Sequence, residues 1–254
     1  MKVLLLYFSA TGNTRYVMHV LAEKLMAHHA LVSCLDMEEN DHITESMDYL
    51  VIGYPKYCEK VPPYVETYVR NCLIKQPVEI PTLLMTTQVG PTKVCTHPLR
   101  KILKEKNYYV VGGDYVMLAN NFFLHGFKQT DAKVLKKRVE AATKQLETLA
   151  TAIVTATPPQ QIMTKSQDLM GYYMGSLYYK CRYYVLKQLT VDTSCVGCGT
   201  CAKRCPLQNI KLDQHQPQLG ERCMLCTRCL NECPKQAFLY KGIPYPQYKG
   251  IIKK

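Results

Sequence analysis

The first 157 residues predict an α/β domain on a five-stranded, doubly wound parallel sheet, and the end of the chain predicts a separate cysteine-dense module. Short apolar runs alternate with longer amphipathic stretches up to residue 157, which is the sequence form of repeated βαβ units. The loop Ser9-Ala10-Thr11-Gly12-Asn13-Thr14 directly follows the first apolar run and opens the first amphipathic stretch. Of the 13 cysteines, eight fall on one repeat near the end of the chain.

The apolar runs place strands near 2–8, 31–35, 48–53, 82–87 and 109–118. Helices are expected near 14–28, 62–74 and 94–106, and a long one near 131–156 opens on Thr130-Asp131 as its cap. His28-His29 falls at a helix end, where cations suit the dipole, and no histidine pair has metal-ligand spacing. The seven histidines therefore read as structural or solvated. Pro158-Pro159-Gln160-Gln161 ends the long helix and bounds the first domain at 1–157. Residues 158–190 read as a helical linker, Tyr-rich (Tyr172, Tyr173, Tyr178, Tyr179, Tyr183, Tyr184) and basic. With Lys180, Arg182 and Lys187 it suits either a membrane-surface helix or a stripe packed between domains, and the packed reading is favoured. Residues 191–254 form the module, cysteine-dense over 195–240, with Ile243-Pro244-Tyr245-Pro246 as an extended tail.

A chain of 254 residues has room for one ordinary domain and something small. With 47% apolar and 20% charged residues it excludes wholesale disorder. The run Val3–Phe8 is far below the ~18 residues of a membrane span and leads into no cleavage site, so a reducing cytoplasm is the expected compartment. There, dense cysteines serve metals or redox chemistry. The formal charge of +12 divides as +3 in 1–157, +3 in 158–190 and +6 in 191–254. Such a balance first suggests nucleic acid, but the count treats every cysteine as neutral, and ligated thiolates would remove several units of it. No nucleic-acid partner is expected. The chain has no G-x-G-x-x-G fingerprint, because Gly197 and Gly199 belong to the cysteine loop, so it shows no nicotinamide site.

Cys195, Cys198, Cys201 and Cys205 recur 28 positions later as Cys223, Cys226, Cys229 and Cys233, each quartet followed by proline, Pro206 and Pro234. Three thiolates spaced by three on a tight loop suit three irons of one cubane, while the fourth, beside proline, reaches the other cluster. This crossing predicts one 4Fe-4S cluster on Cys195, Cys198, Cys201 and Cys233, and a second on Cys223, Cys226, Cys229 and Cys205. Gly197 and Gly199 would let backbone N–H groups approach the sulfurs closely. Zinc sites usually pair two C-x2-C knuckles, and a cytosolic setting disfavours disulfides. Over about 46 residues the segment resembles the bacterial two-cluster ferredoxin. The resemblance implies a small α+β domain.

The Ser9–Thr14 loop gathers hydroxyls and backbone N–H groups at the positive end of a helix, a phosphate site that needs no arginine. Its order, S-x-T-G-N-T, resembles the FMN-phosphate loop of flavodoxins. Ligands of parallel sheets sit at the carboxyl ends of the strands, so the remaining contacts are expected from Pro55, Lys56 and Tyr57, from Thr87, Gln88, Val89 and Gly90, and from Asn120 and Asn121. Tyr57 is the candidate to stack on the isoalloxazine. Related flavodoxin-like domains often have glycine where Cys58 and Glu59 stand. Among the cysteines outside the repeat (Cys34, Cys58, Cys72, Cys95, Cys181), Cys34 reads as an inert core residue, and Cys58 is the only one placed for reactivity.

In this order the two parts resemble the flavodoxin-ferredoxin fusion family of anaerobic bacteria. That resemblance implies FMN, two 4Fe-4S clusters and electron transfer between them and a redox partner protein. Clusters and phosphate together would lower the net charge to about +6, a basic shell suited to an acidic partner. The alternative is an FMN-dependent reductase of a small acceptor, a quinone or nitroaromatic, fed by its own clusters. No catalytic residue and no oligomeric state is indicated.

Overall fold

The middle strand of the sheet, Tyr49–Pro55, is buried at every position, which explains its unbroken apolar sequence: parallel strands covered on both faces do not alternate. A computed structural model describes residues 1–43 and 46–251. Strands β1 (Lys2–Tyr7), β2 (Leu31–Asp36), β3 (Tyr49–Pro55), β4 (Ile80–Gln88) and β5 (Tyr108–Met117) form one parallel sheet in the order β2-β1-β3-β4-β5. This is the flavodoxin-like order, with its switch point between β1 and β3.

Helices α1 (Asn13–Ala27) and α4 (Ala132–Val154) bury Val17, Leu21, Leu25, Leu146 and Leu149 on one face. Helices α2 (Pro63–Asn71) and α3 (Leu99–Glu105) bury Val65, Val69, Leu99 and Leu103 on the other. Asp131 caps α4 by accepting from the Lys133 amide at 2.8 Å. The helix expected from residue 94 begins only at Leu99. Pro98 lacks an amide hydrogen and biases His97 away from helix, and Val94 is instead held by backbone bonds to Gln161 and Met163.

Those bonds also fix where the helix of the 158–190 linker begins. Gln161 and Pro159 pair with Gly113 of β5, so the chain first runs extended along the sheet edge. Helix α5 (Lys165–Leu186) then starts at Thr164 with a reciprocal capping box to Gln167.

Residues 189–251 contain β6 (Leu189–Val191), α6 (Thr200–Lys203), β7 (Ile210–Asp213), β8 (Gln216–Leu219), α7 (Arg228–Asn231), β9 (Phe238–Tyr240) and β10 (Ile243–Pro244). The 28-residue period of the sequence is also a period of the backbone. Left-handed φ recurs at Gly197 and Leu225, Gly199 and Thr227, Gln208 and Gln236, and Gln214 and Gly242. The second copy holds Leu225 (φ 56°) and Thr227 (φ 58°) where the first has glycine, a conformation that costs an L-residue roughly 1 kcal/mol or more. The tail is an anchored strap. Tyr245 and Tyr248 are buried, and their hydroxyls donate to Asn121 O at 3.2 Å and Asn13 Oδ1 at 2.6 Å.

Candidate functional site

The turn from β1 into α1 is set by Gly12, whose φ of 98° opens the N-terminus of the helix. The first N–H groups of α1 have no partner within the helix and face this loop. Several side chains of the loop are engaged in shaping it. Ser9 Oγ accepts from the Gly12 amide at 3.2 Å, and Thr14 Oγ1 lies 2.8 Å from Thr87 Oγ1. Thr11 Oγ1 accepts from the Asn121 side chain, while Asn13 donates to Ala119 O at 3.0 Å. The loop is thereby braced against the ends of β4 and β5.

A cavity of about 580 Å3 opens beside it, within the range of cofactor sites. It is lined by Asn13 from the loop, by Pro55, Lys56 and Tyr57 after β3, by Thr87, Gln88, Val89 and Gly90 after β4, and by Asn120 and Asn121 after β5. Ser9, Ala10, Thr11, Gly12 and Thr14 form the loop at its edge and do not line it. Gln88 and Asn120 are occupied by their own loops. Gln88 Nε2 donates to Gly90 O at 2.8 Å, and Asn120 Nδ2 donates to Lys128 O at 2.9 Å.

The β3 loop is a tight hairpin turn in which Tyr57 and Lys60 exchange both backbone bonds. Its central residues, Cys58 (φ 50°) and Glu59 (φ 59°), are left-handed, the conformation that favours glycine. Two contacts hold the strained turn. The buried Lys56 ammonium lies 2.8 Å from Glu59 Oε2. Helix α5 presses on the other side at Gly175, where a Cβ would stand 2.3 Å from Cys58 O. Lys60 Nζ reaches Ser176 Oγ at 2.8 Å and lies 4.1 Å from the centroid of the Tyr172 ring. Desolvation, with the Glu59 carboxylate, pushes the Cys58 thiol up to about 11. Desolvation and Asp36 push the Cys34 thiol, half-buried on the edge strand β2, up to about 11 as well. The Tyr57 hydroxyl is buried with no hydrogen-bond partner. Such an orphaned polar atom on a cavity wall fits a site completed by a bound group.

Two smaller cavities lie among the cysteines. Cys195, Cys198, Cys201 and Cys233 line one, together with Gly197 and Gly199. Cys205, Cys223, Cys226 and Cys229 line the other. Backbone amides approach the sulfurs: Asn209 N donates to Cys205 Sγ at 3.3 Å and Leu225 N to Cys223 Sγ at 3.4 Å. Burial pushes the Cys226 thiol up to about 12.

Met224, Cys226 and Thr227 line both the second cysteine cavity and the large cavity. The roof of the large cavity thus comes from the module and from Tyr178 and Tyr179 of α5. Arg228 joins the regions. It is 2% exposed, donates from Nε to Ala10 O at 2.8 Å and from Nη2 to Ser9 O at 2.9 Å, and pairs with Glu38 at 2.6 Å. Sequence reasoning missed His125, Phe127 and the 224–227 loop as walls of this cavity, and Arg228 with Glu38 as the joint behind it. The Tyr-rich composition of 166–190 was the one local signal of the roof.

A family model described as a flavodoxin domain matches residues 4–112. No curated protein matches the chain. Among solved structures, oxidised flavodoxin 1 from Bacillus cereus is 14% identical at a TM-score of 0.36, the match covering 57% of this chain and 98% of that one. A flavodoxin from the domain Archaea is 13% identical at a TM-score of 0.40, covering 60% of this chain and 99% of that one. The rubredoxin oxygen:oxidoreductase of Desulfovibrio gigas is 18% identical at a TM-score of 0.40, covering 61% of this chain but 36% of that one. The N-terminal part of the chain has the flavodoxin-like fold. No helix among the described residues is long and apolar enough to cross a membrane.

Proposed function

We propose that the chain is an electron-transfer protein of three parts: an FMN domain at 1–157, a linker at 158–190 and a two-cluster 4Fe-4S ferredoxin domain at 191–254. When bound, FMN would convert between two-electron and one-electron traffic and the clusters would relay single electrons. The observation that carries the reading is the wall shared between the large cavity and the second cysteine cavity, through Met224, Cys226 and Thr227.

The residues suit these groups. The Ser9–Thr14 loop offers a helix N-terminus for the phosphate, and the loops after β3, β4 and β5 enclose the ring space, with Tyr57 as its aromatic wall. A cubane spreads its thiolates around a body of four irons, which matches quartets lining a cavity wall. Cys226 borders the ring space, whereas Cys198 is exposed, so the second quartet faces the flavin and the first faces solvent and an acidic redox partner. A reducing cytoplasm is the setting this chemistry needs.

The test is anaerobic purification with quantitation of iron, sulfide and flavin, followed by photochemical reduction. About eight irons and about one FMN per chain, with flavin reduced as the clusters are, is the expected result. Reduced clusters beside flavin that stays oxidised over seconds would overturn it. A second reading, reduction of a small quinone or nitroaromatic, is favoured by one observation. The large cavity extends past the β-strand loops to His125 and Phe127, and Phe127 is 61% exposed. Turnover of an acceptor panel under ferredoxin-driven reduction would support it.

A further inference from the structure

Helix α5 is apolar on two opposite faces, and only one of them is covered. The inner face carries Asp168, Tyr172, Gly175 and Tyr179, which pack on the Tyr57–Lys60 turn, Thr96 and the 224 loop. The outer face presents Met170, Tyr173, Met174, Leu177 and Tyr184, each between 56% and 68% exposed. Their spacing of three, four and seven aligns them as one stripe. From residue 170 to 184 the stripe is about 21 Å long at the rise of an α-helix. A helix apolar all round is normally buried all round, so the uncovered stripe marks an interaction surface.

Charge selects the occupant. The helix and its end carry Lys165, Lys180, Arg182 and Lys187, while its one acidic residue, Asp168, is buried and accepts from the Thr96 amide at 2.9 Å. A second copy laid along the stripe would add its own Lys180 and Lys187 to those already beside it; Arg182 is turned inward, donating to Glu221 O at 2.8 Å. A folded acidic partner would have to present apolar side chains to the Met and Leu of the stripe and carboxylates to its lysines in one fixed register. An anionic fluid surface needs no such register: Met and Leu enter it, Tyr rings sit at the boundary and lysines snorkel to phosphate groups. We infer that the outer face of α5 docks the protein onto an anionic lipid surface, lying in its plane without crossing it. The inference is independent of the cofactors.

Flotation of the purified full chain with vesicles tests it. The chain should float with phosphatidylcholine vesicles containing phosphatidylglycerol at low salt, and poorly with phosphatidylcholine alone. Met174→Glu with Leu177→Glu, both at exposed positions, should lower the partition coefficient about tenfold or more with unchanged circular dichroism. Lys180→Gln with Lys187→Gln should weaken binding and flatten its salt dependence. No flotation with either vesicle would overturn the inference. So would anionic binding unchanged by the two glutamates, which would be plain charge attraction, or a dimer in solution that the two glutamates dissociate.

Discussion

In the sheet domain, Leu5, Leu6, Val51, Ile52, Leu83 and Leu84 are fully buried in two apolar layers, one on each side of five strands. In residues 189–251 no helix or strand is longer than four residues, and the apolar cluster there includes Ala119, Phe123, Leu124 and Val185 from outside the segment. The centre of that region is two cavities walled by cysteines. The contrast teaches that the first region has an extended core of its own, whereas the second shares its apolar cluster with the first and is seated against it.

Metal removal should produce the largest effect. Chelating iron from anaerobically purified protein is expected to open the amides of 189–251 to rapid hydrogen exchange while β1, β3 and β4 keep their protection. Equal protection in both regions before and after would erase the contrast.

Next comes the joint between the regions. Arg228→Met strands the Glu38 carboxylate and the Ser9 and Ala10 carbonyls, an expected loss of about 3 kcal/mol in urea unfolding. If only the module loosens, the seat matters more than the sheet. Gly175→Ala sets a Cβ against the Cys58 carbonyl and the Lys60 side chain, forcing α5 off the turn, and should cost about 1–3 kcal/mol. The smallest effect carries the opposite sign. In flavin-free protein Tyr57→Phe removes a buried, unpartnered hydroxyl and should stabilise by about 1 kcal/mol; a loss instead would show that the hydroxyl has a partner.

The strands were legible because their signal is local: unbroken apolar runs at β1 and β3, and the Leu83–Met85 run of β4, follow directly from burial on both faces. The loops at Pro55–Tyr57, Thr87–Gly90 and Asn120–Asn121 could be named as cavity walls because a parallel sheet sends every such loop to one edge. What they do there was less legible. The amides of Gln88 and Asn120 turn back onto their own loops, and the left-handed pair at Cys58 and Glu59 depends on Lys56 and on a glycine in a helix more than a hundred positions later.

By itself, the sequence determined the parallel sheet, the loop that opens α1 and the 28-residue period, since each is written in neighbours along the chain. Only the tertiary structure decided that the second cysteine cavity, not the first, abuts the large cavity, and that α5 keeps one apolar face bare. These depend on contacts such as Arg228 Nε to Ala10 O, made across 218 positions of chain, and no local pattern of residue types encodes a meeting so remote.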